Sequence, residues 1–227
     1  MPILALALYG SRARDDQQPD SDVDLFAVTD DAEYRMVVQA NINMACYPRD
    51  LAIQRANSGD LFILHIALES RPLFDSSGEF DFIRESFNYK NSYEQEIDLA
   101  SDLAWFLLKN AEKFRDYIFF NRRVAWCVRT ILIARSAELR RPVFSAKQLG
   151  EFSGSSEAFL LISAKNSDQF ISGYLDHLRG FLDRFGSPNP VPSGEQIDWA
   201  MRFSASRNVM GLKTLSNMRG SSSGDEY

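Results

Sequence analysis

The chain has 227 residues, 45% of them hydrophobic, and a formal net charge of −6. That is enough apolar material for two small cores, while a pI near 5.0 excludes the broad basic surface that non-specific binding to duplex nucleic acid requires. Cys46 and Cys127 are the only cysteines, too few for a disulfide framework or a cysteine zinc site, which fits a reducing cytoplasm.

The opening Met1-Pro2-Ile3-Leu4-Ala5-Leu6-Ala7-Leu8 is apolar, lacks a basic leader and a small-residue cleavage pattern, and is read as a buried strand. No other apolar run approaches the ~20 residues that span a bilayer, so a soluble protein without a membrane partner is expected. The first strand covers residues 3 to 9 and closes on Gly10-Ser11. A second, Val23 to Thr29, is rich in β-branched and aromatic residues and bounded by acids. Extended segments follow around Tyr34 to Gln39 and Ile42 to Tyr47, with Pro48 ending the latter. Residues 49 to 69 carry apolar positions broken by Ser58-Gly59, which predicts two helices with a turn between them.

From about Ser92 to Phe185 the pattern is that of long amphipathic helices. One is expected through Leu99, Leu103, Phe106, Leu107, Asn110, Phe114 and Ile118. The next runs through Val124, Cys127, Val128, Ile131, Leu132 and Ala134 and is stopped by Pro142. Ser145 is a candidate cap for a third helix over roughly 146 to 163, and a fourth covers roughly 168 to 185. After the Pro/Gly/Ser linker 186 to 194, a single last helix over about 195 to 218 precedes a Gly/Ser tail expected to be mobile. The expected organisation is an α/β domain over 1–85, a helical bundle over 90–186 and a C-terminal helix over 195–218.

The informative string is Gly10-Ser11-Arg12-Ala13-Arg14 and, with ten residues between Ser11 and Asp22, Asp22-Val23-Asp24. A glycine directly after a strand lets the backbone approach a phosphate, and a Ser hydroxyl with the N–H groups of a following turn supplies donors to its oxygens. Residues i and i+2 of a strand leave it on one face, so the two carboxylates are expected to point at one place. Side-by-side acids are usually reconciled by a hard divalent cation such as magnesium.

This arrangement resembles the Gly-Ser…Asp-x-Asp motif of polymerase β-like nucleotidyltransferases, including the minimal nucleotidyltransferases that accompany HEPN toxins and the aminoglycoside nucleotidyltransferases. The resemblance covers about the first 80 residues. It implies an α+β fold, with a mixed-sheet nucleotidyltransferase core followed by an all-α bundle. It also implies that Gly10 and Ser11 hold a triphosphate, that Arg12 or Arg14 lies beside the phosphates, and that Asp22 and Asp24 are the catalytic, Mg2+-binding acids. The implied reaction moves a nucleoside monophosphate, with ATP the expected donor, to a hydroxyl on a protein or small-molecule acceptor. The chain departs from the pattern at Asp15, where the family usually has glycine, and lacks a helix ahead of the first strand. It also departs at the third acid, for which Asn43 stands in the matching place and Asp50 is the nearest acid downstream. An amide can ligate a cation but is a poor base. A second reading therefore stays open, a degenerate member that binds a nucleotide or a partner without turnover.

His65 and Glu69 stand four apart and would share a helix face, either as a proton-handling pair or as a half-buried histidine with a surface acid. His177 has no arginine four to six residues before it, so the nuclease pattern of active HEPN domains is absent. Arg122, Arg123 and Arg129 are read as a solvated face, and Trp105, Phe106, Phe114 and Trp126 as core.

Overall fold

The computed structural model describes residues 2–17, 21–170, 173–192 and 194–220. The tail after residue 220, expected to be mobile, lies outside the described residues. The fold is α+β, and the chain divides into two compact units, Met1–Asn91 and Ser92–Tyr227.

The first unit is built on a five-stranded mixed sheet. Its strands are β1 (Ile3–Tyr9), β2 (Val23–Thr29), β3 (Arg35–Gln39), β4 (Ile42–Pro48) and β5 (Arg71–Asp75), in the order β3-β4-β2-β1-β5. Strands β2 and β4 are parallel, and every other neighbouring pair is antiparallel. Helices α1 (Arg49–Asn57), α2 (Leu61–Glu69) and α3 (Glu79–Ser86) supply the rest of the core. Alternation along the strands puts Ala5, Ala7, Phe26, Val28, Ala45 and Tyr47 in one cluster with Ala52, Ala56, Ile63, Ile66, Phe80 and Ile83. The alanines let the helices lie close to the sheet, and the fully buried Phe26 ring fills the centre against Tyr47, Phe62 and Phe80. The break expected at Ser58-Gly59 separates α1 from α2. Asp60 caps α2 by accepting from the Phe62 and Ile63 N–H groups at 2.9 and 3.0 Å.

Strand β5 and helix α3 were not expected. Pro72 argues against a strand in the sequence, yet an edge position tolerates its missing donor. Asp75 then closes β5 and serves α3, accepting from the Glu79 and Phe80 N–H groups at 2.8 and 3.1 Å.

The second unit contains helices α4 (Glu94–Asn110), α5 (Tyr117–Glu138), α6 (Ala146–Ser153), α7 (Ser156–Ser163), α8 (Tyr174–Phe185), α9 (Gln196–Ala205) and α10 (Val209–Gly220). Three helices expected to be continuous are broken, and the one expected over roughly 168 to 185 is shortened to α8. The apolar spacing that joined Leu99 to Ile118 runs across a break at 111–116. There the buried Asn110 donates its amide to the Phe106 carbonyl, and Asp116 caps α5 through the Phe119 N–H at 2.8 Å. Phe114 is buried from the turn itself, its ring meeting Phe106 and Phe120. Gly154, in the left-handed region, ends α6 where one helix over 146–163 was expected. Ser145 caps α6, accepting from the Gln148 N–H. The last helix is two helices. Buried Asn208 donates to the Leu99 carbonyl of α4 and accepts from the Gly211 N–H, so a polar side chain folds the chain back between α9 and α10. No described helix is long and apolar enough to cross a membrane.

Candidate active site

The sheet register places three residues in one row. Tyr9 ends β1 opposite Asp24 on β2, and Asp24 lies opposite Asn43 on β4. The row continues the face that carries Phe26, Ala45 and Ala7, at the end of the sheet where β2 and β4 begin. Asn43 donates Nδ2 to Asp24 Oδ1 at 3.4 Å. On the other side the chain turns directly over Asp24. Gly10 has φ +73°, and a Cβ built on it would stand 2.8 Å from Asp24 Oδ2. The Asp24 carboxylate therefore sits against bare backbone at the start of the Gly10–Arg12 turn, a single turn of 3-10 helix, and only glycine fits there.

Asp22 precedes β2 by one residue and is exposed. Its position is fixed through the backbone, since Arg12 donates Nε to the Asp22 carbonyl at 3.1 Å and Nη2 to the Ser21 carbonyl at 2.8 Å. Arg12 thus ties the turn to the approach of β2. Among the described residues no three His, Cys, Asp or Glu side chains gather as a metal cluster. In the row beside Asp24, the neighbour on β4 is the uncharged Asn43. Asp50 cannot take its place, because it opens α1 beyond the far end of β4, roughly 17 Å of strand away at ~3.3 Å per residue. It lines an open groove there with Arg49, Ile53 and Phe82.

Two further anchors hold the segment after the turn. Asp15, where the resemblance leads one to expect glycine, adopts φ +60°, so the left-handed conformation that favours glycine is kept. Aspartate tolerates it better than most side chains. Its carboxylate receives both Nη groups of Arg71, at 3.2 and 2.5 Å, and this exposed pair holds the Asp15 carboxyl below the usual carboxylate range. Arg14 turns to α2. It donates Nη1 to Glu69 at 2.8 Å and Nε to Asp16 at 3.1 Å, and His65 Nε2 lies 2.9 Å from the same Glu69 oxygen. The expected face-sharing of His65 and Glu69 is thus a direct contact, with both side chains largely covered. Burial pushes the Glu69 carboxyl up, but the hydrogen bonds from His65 and Arg14 outweigh it and hold the group below the usual range. Tyr9 packs edge-on against Phe62 and His65. Burial, then the charge of Asp24, pushes its phenol far up, so it stays protonated.

Sequence reasoning passed over Tyr9 and Arg71. An aspartate at position 15, where the resemblance leads one to expect glycine, was the one residue in the sequence that pointed toward the Arg71 pair. In the second unit Arg122 donates to Asn166, while Arg123 lies over the Phe119 ring with Nη1 at the Met210 sulfur. Trp105, Phe106 and Phe114 are core, whereas Trp126, also expected there, is only partly buried.

Residues 1–79 match the family described as Polymerase beta, Nucleotidyltransferase. Among solved structures, a nucleotidyltransferase-like protein from Exiguobacterium sibiricum 255-15 matches at a TM-score of 0.32 and 11% identity, over 81% of this chain and 68% of that one. That likeness is too distant to carry an argument. A search of curated proteins finds no match.

Proposed function

We propose, because residues 1–79 match the polymerase beta nucleotidyltransferase family, that the protein binds a nucleoside triphosphate with magnesium and transfers the nucleoside monophosphate to a hydroxyl. ATP is the proposed donor, and a protein or a small molecule the acceptor. The observation that carries the reading is the close approach of the Gly10 backbone to the Asp24 carboxylate. It sets the proposed phosphate-binding turn directly over an acid, so one cation could touch both the acid and a phosphate.

The donor set fits a magnesium ion. Asp22 and Asp24 offer hard carboxylate oxygens, and Asn43 offers an amide oxygen after a half-turn of its side chain. Bound magnesium would supply neutralisation of the phosphate charge that builds as pyrophosphate leaves. Backbone N–H groups of the turn and the Ser11 hydroxyl would donate to phosphate oxygens, and Gly10 leaves room for them. Arg12 would hold turn and acids in register through the Ser21 and Asp22 carbonyls. Asn43 cannot accept a proton, so this row of the site has one base and one charge fewer than a full acid triad.

That same asparagine favours a second reading, nucleotide or partner binding without turnover. Melting with and without magnesium plus ATP tests the binding half. A ligand at about 100 times its Kd adds about 2.7 kcal/mol, and Asp22→Asn with Asp24→Asn should abolish the metal-dependent part. An equal shift in the double variant removes the metal assignment. Labelled triphosphates with magnesium and cell lysate test the other half. Label on an acceptor supports transfer, and binding without label across a broad acceptor screen supports the second reading.

A further inference from the structure

Arg14 lies two residues beyond the Gly10–Arg12 turn, its N–H donating to the Gly10 carbonyl at 3.3 Å, and the groups around its guanidinium are arranged unevenly. Nε is held by Asp16 and Nη1 by Glu69, with His65 Nε2 3.3 Å from Nη1. Nη2 has no hydrogen-bond partner among the described residues and is not sealed from solvent. Arg14 and both of its α2 neighbours are mostly covered, with side-chain exposures of 15%, 18% and 12% for Arg14, Glu69 and His65. The imidazole is wedged by the Tyr9 ring, and Tyr9 is the residue directly before Gly10. An arginine that is free to sample rotamers loses about 2 kcal/mol of side-chain entropy when a ligand fixes it. Here that cost is met before any ligand arrives, and two donor hydrogens on Nη2 are left over.

We propose that Glu69 and His65 are positioning residues for a polyphosphate, acting through Arg14. Glu69 takes Nη1, His65 braces the carboxylate from the other side, and Nη2 is presented beside the Gly10–Ser11 turn to a phosphate oxygen. The proposal rests on the nucleotide-binding reading above. Its chemistry separates geometry from charge. Glu69→Gln keeps an acceptor for Nη1 and removes a negative charge next to the phosphates, so it should bind polyphosphate as well as the natural residue or better. Glu69→Ala releases the guanidinium.

The test is calorimetric titration of the full chain with magnesium and α,β-methylene ATP, which cannot transfer its nucleotide. Circular dichroism checks the fold of each variant. Glu69→Ala and Arg14→Ala should each weaken binding about tenfold or more, the scale of one charge-assisted hydrogen bond. Glu69→Gln should stay within about threefold of wild type or bind more tightly, because its net charge favours the anion. Should Glu69→Ala not fold, Glu69→Asp, which draws the carboxylate back by one methylene, should weaken binding in its place. Wild-type affinity in Glu69→Ala or Glu69→Asp overturns the inference alone, and so does a loss in Glu69→Gln as large as in Glu69→Ala, which marks a merely structural pair. Absence of binding by wild type overturns both this inference and the nucleotide-binding reading.

Discussion

Replacing Gly10 with alanine should damage the first unit twice over. The new side chain would hold a φ of +73°, which costs an L-residue about 1–2 kcal/mol. Its Cβ would also stand 2.8 Å from Asp24 Oδ2 and 3.5 Å from Asp24 Cβ. The carboxylate must then swing away, and an off-rotamer side chain adds about 0.5–1.5 kcal/mol. The sum is about 1.5–3.5 kcal/mol, which the structure allows to be split. Gly78 has φ +74° with nothing within 4 Å of the Cβ position, so Gly78→Ala meets the backbone term alone, about 1–2 kcal/mol. All three tryptophans lie in the second unit, so opening of the first is read by amide exchange of β1 and β2 peptides. Gly10→Ala should accelerate it about 10- to 400-fold, and Gly78→Ala about 5- to 30-fold. Adding Asp24→Ala to Gly10→Ala should bring the rate back toward the Gly78→Ala value. If Gly10→Ala opens the unit no more than Gly78→Ala, or the double variant is no slower than the single, the contact with Asp24 is not tight and the proposed site loses its central observation.

Asn43→Asp places a second carboxylate beside Asp24. Melting should fall in the presence of a chelator through like-charge repulsion, while magnesium affinity should rise about tenfold. A variant unchanged in both would show that position 43 does not face the cation. At position 15, Asp15→Gly removes the left-handed cost together with the Arg71 pair, whereas Asp15→Ala removes only the pair. The glycine variant should therefore melt at or above wild type and the alanine variant below it, and equal melting of the two would refute the backbone argument. In the second unit, Asp102 is buried and paired with Arg202 at 2.7 Å. Burial raises its carboxyl above the usual range, the Arg202 hydrogen bond opposing that rise. Arg202→Met should cost about 1–3 kcal/mol, between the values for buried and exposed pairs because Arg202 is more than a third exposed. It should also raise the folded-state pKa of Asp102 further above its unfolded value. The folded state then binds the proton more strongly, so the variant should regain stability as pH falls through that raised pKa. Urea midpoints read by tryptophan fluorescence at pH 7 and pH 5 should show the gap narrowing, and a constant gap would count against the account.

Much of the first unit was legible in the sequence, because its signals are local. Short apolar and β-branched runs, the turn at Ser58-Gly59 and the Gly10-Ser11…Asp22-Val23-Asp24 string each need only a few neighbouring residues to be read. Apolar periodicity misled where polar side chains decide the outcome. Apolar spacing from Leu99 to Ile118 is helical, but Asn110 and Asp116 supply hydrogen bonds that end one helix and start another. Likewise the 195–218 pattern could not show that Asn208 would reach back to Leu99. Strand β5 exists because an edge beside β1 was open to a proline-containing segment. At the site, sequence determined which acids and which glycine are present. The register puts Asn43 beside Asp24, where the resemblance places it; tertiary structure alone decided that Asp50 stands at the far end of β4 and that Glu69 and His65 close on Arg14. The reason is physical: strand register and the docking of α2 are set by burial of Phe26, Phe62 and Tyr47 across elements far apart in the chain, and no window of neighbouring residues contains that information.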